Sequence, residues 1–176
     1  TGATVLRFAR STDGGTTFRP KFDKQSVQSI GAIALDPKNA DNIWVGTGEA
    51  WTRNSVSIGD GVYRSTDGGE SWKNVGLPNS ERIVKIAVDP RNGEAALVCV
   101  TGKLWSDSND RGVYRAADGG KPWTQVLKAG NASTGCGGMS LDAKKPDVVY
   151  ASLWDFRRKG WTFRSGGEGP DAPSGS

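Results

Sequence analysis

Histidine is missing from this sequence altogether. Imidazole-based triads, histidine general bases and histidine metal ligands are therefore excluded within the chain. Cysteine is nearly missing: Cys99 and Cys136 make no CxxC and supply at most half of a zinc site, so no metal is expected. The reading favours two small, half-buried thiols over a disulfide, since a bond would need them on neighbouring strands. A strong excess of one charge is also absent. The 23 Lys and Arg against 19 Asp and Glu leave +4, spread along the chain, so no nucleic-acid partner is expected. No run approaches the roughly 18 apolar residues that a membrane helix needs, so no membrane insertion is expected. No secretory n-region or h-region opens the sequence. No segment holds a sustained helical period, and nothing calls for a cofactor.

What is present is turn chemistry. Gly (25) and Pro (8) together approach a fifth of the 176 residues, without the period of collagen, which points to many tight turns. Seven Trp and 35% hydrophobic residues argue for an ordered core.

Two internal repeats decide the fold class. Ser11-Thr12-Asp13-Gly14-Gly15-Thr16-Thr17-Phe18 recurs 54 residues later as Ser65-Thr66-Asp67-Gly68-Gly69-Glu70-Ser71-Trp72. A worn copy follows after another 51 residues: Ala116-Ala117-Asp118-Gly119-Gly120-Lys121-Pro122-Trp123. Ile33-Ala34-Leu35-Asp36-Pro37 recurs every 53 residues, as Ile86-Ala87-Val88-Asp89-Pro90 and Met139-Ser140-Leu141-Asp142-Ala143. Each unit reads as four short strands. The first ends at Asp-Pro, because proline lacks the donor a strand interior needs. The second is a β-rich run such as Asn42–Gly46 or Ala96–Val100. The third is Gly61–Ser65 or Gly112–Ala116. Asp-Gly-Gly then turns the chain into the fourth, Ser71–Val75 or Pro122–Val126. Four strands per 50-odd residues is the blade pattern of an all-β propeller.

The predicted organisation is a half blade over 1–22, full blades over 31–75 and 84–126, and a half blade with a long loop over 137–176. That is about three blades' worth, and closed propellers need about four to eight. The rest of the ring is expected from a longer chain or from a second copy. The Ser, Asp, Gly and aromatic positions of the repeated turn (Ser11, Asp13, Gly15, Phe18; Ser65, Asp67, Gly69, Trp72; Asp118, Gly120, Trp123) read as structural. The carboxylate can accept N–H bonds inside its own turn, and the aromatic can pack under it. An active site is built once, not once per blade, so no catalytic residue is assigned here.

These elements resemble Asp-boxes, or bacterial neuraminidase repeats, found in sialidases, endoglucanases of plant polysaccharides and sortilin-type propellers. The stretch Gly31–Val75 is most similar to large secreted bacterial proteins described as sortilin-like or glycosyl-hydrolase-like repeats. The resemblance implies a β-propeller and a secreted or cell-envelope setting. The chain departs from that pattern at Lys103, where relatives tend to have His, at Gly138, where they tend to have Asp, and at Ala116 in place of Ser. These departures argue against an activity that needs that His or Asp.

Ligands gather on long loops over a rigid scaffold. The loops between second and third strands are the rich ones: Thr47–Asp60, Thr101–Arg111, and one opening at Trp154. Each offers a tryptophan beside charges of both signs. Glu49, Trp51, Arg53, Asn54, Trp105, Trp154 and Arg157 are therefore the candidate ligand-binding residues, for a carbohydrate or a protein segment. Hydrolysis of a glycosidic bond would require two carboxylates about 5–10 Å apart. Glu49 with Asp60, Asp107 or Asp155 is the available set, giving a glycoside hydrolase as the alternative. A purely architectural module is a third reading. A sialidase would use a tyrosine nucleophile, but Tyr63, Tyr114 and Tyr150 all fall in strands.

Overall fold

The computed structural model describes residues 8–27, 29–51 and 56–155. Among these the chain is all β, with twelve strands in four antiparallel sheets. β1 (Ala9–Arg10) pairs with β2 (Arg19–Pro20). A four-stranded meander follows: β3 (Ile30–Asp36), β4 (Asn39–Thr47), β5 (Val62–Ser65) and β6 (Lys73–Gly76). A second meander has β7 (Ile83–Asp89), β8 (Asn92–Val100), β9 (Gly112–Ala116) and β10 (Thr124–Leu127). β11 (Thr134–Leu141) pairs with β12 (Val149–Asp155). Two full propeller blades thus stand between two two-stranded sheets.

The Asp-Pro ends of the first strands do more than stop a ladder. Asp36 Oδ1 accepts the Lys38 N–H at 2.9 Å and Asp89 Oδ1 that of Arg91 at 2.8 Å; in the third copy, where Ala143 replaces the proline, Asp142 Oδ1 still accepts the Lys144 N–H at 2.8 Å. Each aspartate caps the turn that sends the chain back as the second strand.

The core lies between blades. Trp44, Val62 and Val75 of the first blade interlock with Ile86, Val88 and Val98 of the second. Phe8 and Phe22 pack on Ile43, Val45 and Tyr63, tying the β1–β2 sheet to the first blade. Cys99, Val113, Cys136 and Met139 join the second blade to β11. Within that last layer Cys99 and Cys136 are disulfide-bonded, with Cα atoms 5.2 Å apart. This corrects the expectation of two thiols. Cys99 lies on the second strand of one blade and Cys136 on the first strand of the next, and both face the shared interface.

The Asp-box turns behave as local hydrogen-bonded units. Ser65 Oγ donates to Asp67 Oδ1 at 2.7 Å and accepts the Gly69 N–H at 2.8 Å, while Asp67 Oδ1 accepts the Ser71 N–H at 3.0 Å. The Ser11 box repeats these bonds at 2.8, 2.9 and 2.9 Å, with Thr17 in place of Ser71. The hydroxyl and N–H of Thr17 and of Ser71, each four residues after its aspartate, hold both carboxylates in the charged form. Asp13 is lowered to about 2 and Asp67 lies below the ordinary range. The third box has lost both partners: Ala116 has no hydroxyl and Pro122 no N–H. Gly69 (φ 91°) and Gly120 (φ 101°) take the left-handed conformation, and a Cβ on Gly120 would lie 2.7 Å from Val75 Cβ.

The box aromatics reach further than their own turn. Trp72 Nε1 donates to Gly69 O at 3.1 Å, but also to Lys21 O of the preceding sheet at 2.6 Å. Trp123 Nε1 donates to Val75 O, again in the preceding sheet, at 2.9 Å. Both rings are half-buried between blades. Phe18, the third member of the set, also lies against its own turn, its Cζ 3.9 Å from where a Cβ on Gly15 would stand, yet it is 62% exposed.

Candidate ligand-binding face

Hydrogen bonds divide the connections between two ends of the sheets. Gly68 N donates to Asp41 O and Gly119 N to Glu94 O, so the Asp-box turns sit beside the turns joining first and second strands. At the other end Gly59 N donates to Glu81 O at 2.7 Å and Ser108 N to Ala132 O at 3.0 Å. These bonds pack the loops between second and third strands against the connections between blades. All candidate binding residues that the structure describes lie at this loop end.

Their settings differ. Glu49 is buried, and its Oε2 accepts the Ser57 N–H at 3.2 Å. Its role is to fold the loop back on itself. Trp51 is 82% exposed and Trp105 44% exposed, each on the loop of its own blade. Trp154 is not in a loop: β12 continues through Asp155, placing Trp154 opposite Gly135 and half-buried. Arg53, Asn54 and Arg157 lie outside the described residues.

Asp60, one of the carboxylates a hydrolase would recruit, is engaged internally. Its Oδ2 accepts the Ser26 hydroxyl at 2.6 Å and the Tyr63 hydroxyl at 2.8 Å, and its Oδ1 accepts the Thr47 hydroxyl at 3.4 Å. Those bonds lock the exit of the first loop to the third strand.

Two arginines that sequence reasoning did not single out organise the same end. Arg111 is buried and clamps three carbonyls of its own loop: Thr101 O at 2.7 Å, Ser106 O at 3.0 Å and Lys103 O. Arg82, equally buried, donates to Glu81 Oε2 at 2.9 Å and to Gly102 O at 3.1 Å. Burial pulls both guanidinium pKa values down, that of Arg111 to about 10. Glu81 and Glu49 oppose the shift at Arg82, and Asp107 and Asp155 oppose it at Arg111. The face is thus a buried cationic pair ringed by carboxylates, with exposed indoles outside it. The one sequence signal was a break in the repeat: Arg111 precedes the third-strand glycine where the first blade has Asp60. Nothing in the sequence shows that its side chain turns inward.

Among the described residues no group of three or more His, Cys, Asp or Glu side chains is arranged to hold a metal ion. No helix among them is long and apolar enough to cross a membrane.

Known proteins place this architecture. A xyloglucanase of Hypocrea jecorina (strain QM6a) is 28% identical over 179 residues, which cover 89% of this chain and 21% of that enzyme. A xyloglucanase of Paenibacillus sp is 25% identical over 127 residues, covering 64% of this chain and 11% of its own. The chain therefore spans about a fifth or less of the curated relatives it matches. The crystal structure of an ancestral GH74 enzyme superposes with a TM-score of 0.66 at 19% identity, over 86% of this chain and 20% of that one. At that identity the likeness concerns the fold, a β-propeller. The family model described as Sortilin, neurotensin receptor 3 matches residues 7–153, and the chain belongs to this Sortilin-Vps10 family of Asp-box propeller repeats.

Proposed function

We propose that the chain is a recognition module that binds a plant-type polysaccharide, a branched β-glucan, across its loop end. The observation that carries the reading is the pair of exposed indoles. Trp51 and Trp105 project from corresponding loops of successive blades, while the loop carboxylates Glu49 and Asp60 are tied to backbone and side-chain donors. Aromatic faces flanked by polar groups suit sugar rings, whose C–H faces stack and whose hydroxyls hydrogen-bond. The name of the xyloglucanase relatives supplies the substrate class.

Affinity electrophoresis in gels containing xyloglucan, cellulose derivatives or no glycan tests it. The parent should be retarded by xyloglucan. Trp51→Ala and Trp105→Ala should each weaken retention by roughly 1–3 kcal/mol, by analogy with bases stacked on aromatics. A parent that no glycan retards leaves the architectural reading in first place.

The names of the relatives also support a second reading, glycoside hydrolysis with part of the active site supplied by residues outside this chain. Release of reducing ends from xyloglucan by the longer protein, and its loss in Asp107→Asn or Asp155→Asn, would favour that reading. A secreted or envelope setting goes with either. The inter-blade disulfide supports it, since such bonds persist in oxidising compartments and are rare in the cytosol.

A further inference from the structure

The joints on either side of the first blade share a hydroxyl, a carboxylate and a phenol, but they use them differently. In the joint with the β1–β2 sheet, Phe22 packs edge-on against Tyr63 and Trp72, with ring centroids 5.1 and 5.0 Å away. Beside it Asp60 Oδ2 accepts the Ser26 hydroxyl at 2.6 Å and the Tyr63 hydroxyl at 2.8 Å, and the two hydroxyls lie 3.0 Å apart. The polar groups there satisfy one another.

The joint between the two full blades keeps the polar set and loses the phenyl ring. Lys21 O and Val75 O are the matching carbonyls that accept the indole N–H groups. Counted from them, Gly76 stands where Phe22 does, and Ser80 where Ser26 does. Tyr114 is the counterpart of Tyr63, pairing with Val98 as Tyr63 pairs with Val45. In place of the phenyl ring there is a cavity of about 190 Å³, lined among others by Leu77, Ser80, Asp110, Tyr114 and Trp123. Complete four-stranded sheets stand on both sides of it.

The polar groups around this cavity do not close on one another. Ser80 is 2% exposed, and its hydroxyl has no hydrogen-bond partner among the described residues. Native interiors leave few such groups unpaired, because burying one is unfavourable. Asp110 Oδ2 receives the Ser108 hydroxyl at a long 3.4 Å. Burial, and then the charge of Asp110, raise the Tyr114 pKa, so the phenol keeps its proton as a donor. Leu77 and Glu81, on either side of Ser80, take left-handed backbone angles without being glycine (φ 58° and 50°). The segment that presents the serine is thus held in a conformation that its residues disfavour.

We propose that this cavity binds a single neutral sugar ring. The rings of Tyr114 and Trp123 offer faces and edges to sugar C–H groups. Ser80 and Tyr114 hydroxyls and the Asn79 amide both donate and accept, and the Asp110 carboxylate accepts from sugar hydroxyls. Asp110 is the one charged side chain in the lining, which disfavours sugar acids. An ammonium ligand would use the carboxylate and the rings but would leave Ser80 and Asn79 unpaired. The volume falls below the about 300–1,000 Å³ of drug-sized pockets, so it suits one ring and not a chain. Neither Trp51 nor Trp105 lines the cavity, and the inference does not rest on their binding a polysaccharide.

Saturation-transfer NMR on the chain, with free D-glucose, D-galactose and D-xylose at about 10 mM each, tests it at the weak affinity expected of so small a contact. At least one sugar should receive saturation. Ser80→Ala and Asp110→Asn should each weaken its binding about fivefold or more, as the loss of one hydrogen bond does. Ser80→Ala should keep or raise the thermal midpoint, since the hydroxyl it removes has no partner. Tyr63→Phe, in the closed joint, should lower the midpoint and leave sugar binding unchanged. Silence from all three sugars overturns the proposal, and so does binding that survives both cavity variants. Saturation of tetramethylammonium in preference to the sugars assigns the cavity to a cation and overturns it as well. A chain that binds a monosaccharide here but is not retarded by xyloglucan overturns only the proposed function.

Discussion

The indole N–H of Trp123 donates to the backbone carbonyl of Val75, 48 residues earlier and one blade away. The bond is not an isolated contact. The same ring meets Trp44 edge-on at 6.3 Å between centroids, and the Arg64 guanidinium lies over the Trp44 ring, 5.0 Å from its centroid. A repeated turn motif therefore works as an inter-blade fastener, and its energetic weight falls on the joint between sheets more than on its own hairpin.

Trp123→Ala should accordingly destabilise the chain by about 3 kcal/mol, the low end for large aromatic deletions, because the ring is only half-buried. Trp123→Phe should recover most of the packing but lose the bond to Val75. Urea denaturation followed by circular dichroism separates the two. Equal loss in both variants would place the energy in the hydrogen bond alone.

The Asp-boxes differ among themselves in a way that can be measured. Asp67→Ala strands the Ser65 hydroxyl and the Ser71 N–H and should lower the thermal midpoint. Asp118→Ala should do little, since its box has Ala116 and Pro122 where the partners would stand. Two comparable losses would mean that the turn matters for some other reason than these bonds.

The same carboxylates give the protein an acid limit. Their folded pKa values lie below the unfolded value near 3.8, Asp13 at about 2 and Asp67 lower still. The stability they contribute is fully present above that unfolded value and is lost as pH falls through the folded values. Thermal midpoints recorded from pH 6 down to pH 2 should fall most steeply below about pH 4. The slope should be shallower in Asp67→Ala; an identical slope would assign acid sensitivity to other groups.

Reduction should loosen one end of the chain. The Cys99–Cys136 bond spans 37 residues and ties β11 to the second blade, so its loss should cost about 2–4 kcal/mol. Both sulfurs are buried, so dithiothreitol should act only as the joint opens. Denaturation with and without reductant, and of Cys99→Ala with Cys136→Ala, checks this. No difference would mean that the packing of Met139 and Val113 holds the joint unaided.

The blades were legible because two markers kept one beat, and because Asp-Pro and Asp-Gly-Gly fix where strands must stop and turn. The observed strands fall on the expected ones, with the fourth strands starting two residues later, at Lys73 and Thr124, once the turns are complete. Contacts between blades were not legible. Pairing of Cys99 with Cys136, the reach of Trp72 to Lys21 and the exposure of Phe18 depend on how one sheet lies on the next, which period alone does not encode. The loop end was half legible. Trp51 and Trp105 stood out as aromatics in polar loops, whereas nothing in the sequence marks Arg111 as the buried donor to three carbonyls.

Arg111 also carries the last prediction, which joins stability to binding. Its guanidinium is the common donor for Thr101, Lys103 and Ser106, the residues that bracket Leu104 and Trp105. Leu104 is fully buried while the neighbouring indole is turned out, so this clamp sets how Trp105 is presented. Lysine keeps the charge but offers a compact ammonium in place of a planar fork, and cannot reach three carbonyls in the same geometry. Arg111→Lys should therefore cost roughly 1–3 kcal/mol of stability, as buried acceptors lose a donor. It should also reduce xyloglucan retention about as much as Trp105→Ala, although Arg111 itself is inaccessible to a ligand. The double variant Arg111→Lys with Trp105→Ala should bind no more weakly than Trp105→Ala alone, because the arginine acts through the indole. Additive losses in affinity electrophoresis would show instead that Arg111 serves the ligand by a route other than Trp105.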